Sequence, residues 1–301
     1  MKGVATKFGR EENSMEIQWP LILFTSLLAW SAGLFGAASY ASMKGYARQV
    51  QNQALVVSAV LLVVGGIAVF FHLQHWERIF NGFGHITSGI TQELIAIVVF
   101  AVVMVIYFVY QRKSEKGSLP KWVSILALVV SALLVLVMGC SYLMNSRPAW
   151  STLLEVATLF GAALLLGPAT LSVISRESND DAFLVRLCFI GSLVNVVCVV
   201  AYVAFMALAI SSISSVGYYF DPTTPTKKVL ETWVSPFASS SVGLTIAVFV
   251  AAVAAVGVSY FTQKKGWSIA LKIVLLCVAV ICTVCLRVLF YQMGVLIYPF
   301  F

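Results

Sequence analysis

Eight apolar runs decide what this chain can become. They fall at about 19–42, 54–72, 93–110, 121–144, 150–174, 183–210, 238–261 and 267–291, joined by polar connections. A hydrocarbon core of about 30 Å takes roughly 20 helical residues at 1.5 Å each, so every run can cross, the longer ones by tilting. A soluble core of 301 residues could not bury so much apolar surface, since 60% of the residues are hydrophobic and only 10% are charged. The runs lack the two-residue alternation of barrel strands and exceed their length. The sequence therefore predicts an all-α fold: a polytopic integral membrane bundle of eight transmembrane helices.

Residues 1–16 read as a polar N-terminal extension and 17–301 as a single eight-span transmembrane domain. The first run opens at Trp19-Pro20, an interfacial aromatic followed by a residue suited to a first helical turn. It is longer than the core of a signal peptide, so a retained helix is expected. Eight spans place both termini on one side. The connections after spans 1, 3, 5 and 7 carry eleven Lys and Arg, against seven on the N-terminus and the other three connections. That excess predicts cytoplasmic placement of the loop around 112–121 and both termini outside. The connection at about 211–237, rich in Pro, Thr and Ser, reads as a loop that either binds a partner or is simply solvated. No internal repeat is legible.

The net charge of +7 does not point to nucleic acid, because the basic residues lie mostly in short connections and no basic tract is interleaved with aromatics. Cys277, Cys282 and Cys285 have a spacing that ligates an iron–sulfur cluster in a loop, but inside a membrane helix they read as packed free thiols, as do Cys140, Cys188 and Cys198.

The stretch 72–93 holds all three histidines, His72, His75 and His85, together with Arg78, and ends in Glu93. A haem between spans takes histidines from different helices, and here no second span carries one, so no haem is expected. His72 and His75 lack a third and fourth metal ligand nearby, so no metal site is expected either. His72 is then a hydrogen-bond donor or proton carrier. Glu93, about one turn inside span 3, is either a proton acceptor or a carboxylate favoured by the helix dipole. Arg287, near the end of span 8, either snorkels to headgroups or pairs with a carboxylate such as Glu93. Glu155, just inside span 5, reads as a first-turn carboxylate near water or as a catalytic group. Asn195 reads as an interhelical hydrogen bonder.

His72, Arg78, Glu93 and Arg287 thus share a depth at one rim of an apolar bundle. A lipid-soluble quinol suits such a rim, because its oxygens need hydrogen-bond partners and its oxidation releases two protons. The residues His72…Arg78-Ile79-Phe80-Asn81 and Glu93-Leu94-Ile95-Ala96 resemble the membrane anchor subunit family of bacterial dimethyl sulfoxide reductase. Trp19-Pro20 with Leu-Ile-Leu-Phe-Thr, Pro148-Ala149-Trp150, Gly167-Pro168, and Arg287 with Phe290-Tyr291 support the resemblance, which covers nearly the whole chain in order.

The resemblance implies a haem-free subunit of the bacterial cytoplasmic (inner) membrane, not catalytic alone. It would bind and oxidise menaquinol and pass electrons to a four-cluster 4Fe–4S electron-transfer subunit, itself joined to a molybdopterin catalytic subunit. It implicates His72 and Glu93 in quinol binding, with Arg78 and Arg287 near the same site. The alternative is a secondary transporter or proton-translocating bundle, for which discontinuous helices and charges at the bilayer midplane would be the signs.

Overall fold

A computed structural model describes residues 18–71, 85, 87–114, 119–144, 147, 149–175, 178–213, 218–220, 228–230, 235–266 and 268–294. Among them, eight helices are long and apolar enough to cross a membrane. These are α1 (Trp19–Lys44), α2 (Gln51–Phe70, preceded by a single 3₁₀ turn at Arg48–Val50), α3 (Gly89–Lys113), α4 (Lys121–Ser141), α5 (Leu153–Ile174), α6 (Ser178–Ile213), α7 (Val242–Lys265) and α8 (Ile269–Gln292).

The helix ends follow local chemistry. Pro20 opens α1, and Gly45, in the left-handed region at φ 87°, closes it by donating its N–H back to the final turn. Thr152 and Ser268 cap α5 and α8 by accepting from Leu154 N and Leu271 N. Helix α3 begins four residues earlier than the apolar run suggests, which puts Glu93 beyond its first turn. The dipole account of Glu93 is weakened accordingly.

Helices α1 and α5 form the centre, with 67% and 72% of their apolar windows buried, whereas α2 and α3, at 22%, face mostly outward. Helix α1 packs on α2, α4 and α5, and α5 packs on α6, α8 and α1. Within each set of four helices the first packs on the second and fourth, and the third packs on the fourth. The two halves therefore share one pairing pattern that the sequence does not advertise. With four spans per half, they have the same orientation across the membrane.

Small residues make the central contacts possible. A Cβ added at Gly33 would lie 2.2 Å from the Ala163 carbonyl oxygen, and one at Gly167 would lie 2.1 Å from that of Gly33. Helices in lipid gain little from burying apolar surface, so close backbone approach of this kind supplies dispersion contacts instead. Pro168 sits inside α5 and cannot donate to the carbonyl of Leu164, four residues before it. That carbonyl faces Gly191 on α6, where a Cβ would lie 2.0 Å away. Reciprocal bonds from Ser31 to the Ser58 carbonyl (2.8 Å) and from Ser58 to the Ser31 carbonyl (2.7 Å) join α1 to α2. Gln51 donates to the Ala38 carbonyl and accepts from Tyr107, tying α2 to α1 and α3.

The connection after α6 adds one short local pairing to the all-helical bundle. Two three-residue strands, β1 (Tyr218–Phe220) and β2 (Lys228–Leu230), pair antiparallel with Tyr219 opposite Val229. Aromatic and β-branched residues on either side of Asp221-Pro222 form the local signal for this hairpin.

Candidate functional site

Polar side chains gather at the end of the bundle where α1 begins and α8 finishes. Glu93, on the second turn of α3, accepts a 2.5 Å hydrogen bond from the Ser141 hydroxyl at the last turn of α4. The two helices touch at this level because residue 89 is glycine: a Cβ there would lie 3.1 Å from that of Ser141. Below the contact lies a groove of about 290 Å³ between α3 and α4, lined by Ile95, Ala96 and Val99 on one side and Val130, Leu134 and Val137 on the other. Gln92 is its polar wall residue. Exposed Ile95, Val99 and Leu133 turn the groove toward the membrane.

Arg287 is held elsewhere. Its Nη1 donates to Glu155 Oε1, while Nη2 donates to Glu155 Oε2 at 3.4 Å and to Thr158 Oγ1 at 2.7 Å. Thr158 in turn donates to the Glu155 carbonyl at 2.7 Å. Arg287 and Glu155 are 1% and 0% exposed, so neither side chain reaches headgroups or water. This overturns the snorkelling account of Arg287, the suggestion that Glu93 is its partner, and the reading of Glu155 as a carboxylate near water. Two charges this deep are tolerable only because each satisfies the other and Thr158 takes up a further donor. The guanidinium also lies over the Phe290 ring, 5.0 Å from its centroid.

A second layer joins these groups. Tyr291, one turn beyond Arg287, donates its hydroxyl to that of Tyr142 at 2.9 Å, and Tyr142 directly follows Ser141. Described residues between α4 and α5 pack on the end of α8. The Trp150 indole donates to the Phe290 carbonyl at 2.9 Å and stacks on the Phe290 ring at 4.8 Å. Arg147 lies over Trp150 and donates to the Gly294 carbonyl, and Tyr202 on α6 donates to the Ala149 carbonyl at 3.1 Å. Two motifs singled out separately, Ala149-Trp150 and Arg287 with Phe290-Tyr291, therefore meet in space.

His72, His75 and Arg78, read from the sequence as candidates, lie outside the described residues; His85 is described and exposed. Of the four nominated residues, the structure thus places Glu93 and Arg287, both at the same end but in different pairs. Sequence reading passed over Ser141 and Thr158, whose side chains complete those pairs, and Tyr142, which accepts from the Tyr291 already singled out beside Arg287. A hydroxyl within an apolar run was the available signal, but most such hydroxyls bond their own helix, as Ser39, Ser131 and Thr283 do here. Asn195 behaves as expected, donating to Cys282 Sγ on α8 at 3.5 Å.

At the opposite end, Lys272 donates to Asp181 at 2.8 Å and to the Ser175 carbonyl at 3.2 Å, joining α8, α6 and the end of α5. Between the two charged levels lies an apolar cluster that includes Leu165, Leu166, Leu275 and Ala279. The charges thus sit toward the two ends of the span, with no charged pair midway among the described residues.

Comparison with known proteins supplies a relationship. The profile of the DMSO reductase anchor subunit family (DmsC) matches residues 13–293. The anaerobic dimethyl sulfoxide reductase chain YnfH of Escherichia coli (strain K12) is 26% identical over 186 residues, covering 60% of this chain. The match spans 66% of that relative, just under two thirds of its length. No solved structure matches.

Proposed function

This chain belongs to the DMSO reductase anchor subunit family, and on that premise we propose that it binds menaquinol at the termini end of the bundle and oxidises it. In this proposal the chain lies in the bacterial inner membrane with both termini outside. It carries no haem and serves as the quinol-oxidising subunit of a molybdenum oxidoreductase complex. Oxidation of one quinol releases two protons and two electrons. The electrons pass to the nearest cluster of a four-cluster 4Fe–4S partner subunit and then to a molybdopterin catalytic subunit.

The observation that carries the reading is Glu93, a carboxylate set at the membrane-facing seam of α3 and α4 and oriented by Ser141. A quinol hydroxyl reaching this seam from the bilayer would donate to the carboxylate, which would take the first proton as the electrons leave. His72 is assigned the second quinol oxygen and the second proton. Arg78 is assigned a position beside the same head. Arg287 acts at one remove: its terminal nitrogens are engaged by Glu155 and Thr158, and it holds the α8 end that carries Tyr291.

The test is a conservative pair of replacements, His72→Asn and Glu93→Gln, in the assembled complex in membranes. Quinol-dependent reduction should fall by about a hundredfold or more in each, the scale of a lost general base. Undiminished quinol turnover and unchanged binding of quinol-site inhibitors, with normal assembly, would remove the assignment.

A further inference from the structure

The α3–α4 seam has a shape that the head-group assignment leaves unexplained. At the Gly89–Ser141 level the helices are nearly in backbone contact, and the seam is closed by the Glu93–Ser141 hydrogen bond. Immediately below it the seam opens into the groove of about 290 Å³, near the lower limit of about 300 Å³ for small-molecule sites. Ala96, the smallest residue of the lining, stands one turn below Glu93 on α3, and Val137 and Leu134 line the groove from α4. From Gln92 to Val99 the groove follows α3 for about 10 Å at 1.5 Å per residue. Its deep wall, Val130 and Leu134, is buried, while Ile95 and Val99 leave its mouth open to the membrane.

A hollow that is apolar except for Gln92 at the end next to Glu93 fits an amphiphile with a compact polar head and a hydrocarbon tail, not a bare acyl chain. We infer that this groove seats the first part of the isoprenoid tail of the quinol whose head is at Glu93. The inference rests on the quinol reading of that site. In it, Ala96 and Val137 determine selectivity by holding the tail against the bundle. Tail contacts are made equally in the bound ground state and the transition state, so they govern KM and leave kcat little changed.

The experiment uses the complete complex in membranes carrying Ala96→Phe or, from the opposite wall, Val137→Phe, with assembly measured for each. Two reduced donors are compared: menaquinol with its isoprenoid tail, and the tailless naphthoquinol menadiol. The ratio of the tailed to the tailless KM should rise by about tenfold or more in either variant, the scale of a methylene or two in an apolar pocket. An unchanged ratio in both assembled variants would mean that ordinary lipid fills the groove, and the inference would fail. Glu93→Gln, run in parallel, separates the two readings. Loss of turnover with both donors keeps the head site whatever the groove variants do. Full turnover with both donors would remove the head site even if the KM ratio shifts.

Discussion

Arg287 on α8 and Glu155 on α5 form an ion pair that is closed to both water and lipid, with Thr158 bonded to each. The arrangement binds the last helix to the central one at the end where the candidate site lies. Removing one partner leaves the other charged and unpaired in a medium that does not solvate it, at a cost of about 3–5 kcal/mol. Arg287→Met and Glu155→Leu should therefore each sharply lower the thermal stability of the purified complex. The double replacement should recover most of the loss, because no lone charge remains. A double variant as unstable as the sum of the singles would show that the pair is not what holds α8.

The crossing of α1, α5 and α6 depends on three glycines. Gly33→Ala, Gly167→Ala and Gly191→Ala each place a Cβ 2.0–2.2 Å from a backbone carbonyl oxygen of the neighbouring helix. Backbone cannot yield as a side chain can, so each should cost about 1–3 kcal/mol and reduce the amount of subunit assembled in membranes. Gly66→Ala and Gly257→Ala, with nothing within 4 Å of the added carbon, serve as controls and should be neutral or slightly stabilising.

Ser141 does not touch the proposed substrate's carbon framework, yet it fixes the carboxylate that would receive the proton. Ser141→Ala should raise the quinol KM by about tenfold, equivalent to one hydrogen bond to a charged group. Ser141→Thr, which keeps the hydroxyl that bonds Glu93, should restore the KM. An unchanged KM in an assembled Ser141→Ala complex would assign Ser141 a packing role only.

Orientation can be read by labelling. In a background lacking the native cysteines, His85→Cys should react with an impermeant thiol reagent added outside the cell. Ser114→Cys, at the other end of α3, should react only after the membrane is opened. The reverse pattern would invert the topology and move the proposed quinol site to the cytoplasmic face.

Much of this molecule is legible residue by residue. The eight spans, the end at which Glu93, Glu155 and Arg287 would lie, and the interhelical role of Asn195 follow from the order of apolar and polar residues, and the structure agrees with each. The pairing of β1 with β2 is not legible in the sequence because the strands are only three residues long, too short for a periodic pattern to emerge. The partners of Glu93 and Arg287 were missed for a different reason. A helix surrounded by lipid is apolar on every face, so its sequence carries little information about which side turns inward.

That difference marks the boundary between what sequence and tertiary structure decide here. Crossing a membrane is a property of each segment by itself: about 20 apolar residues satisfy their backbone internally and are solvated by lipid whatever their neighbours do. Pairing is a property of two rotated, tilted helices at once. The steric fit of Gly33, Gly167 and Gly191 sets how α1, α5 and α6 approach, and only within that packing does Arg287 face Glu155 while Glu93 turns to Ser141. The sequence alone determined that these charges would share one end of the bundle. Close packing decided which of them meet.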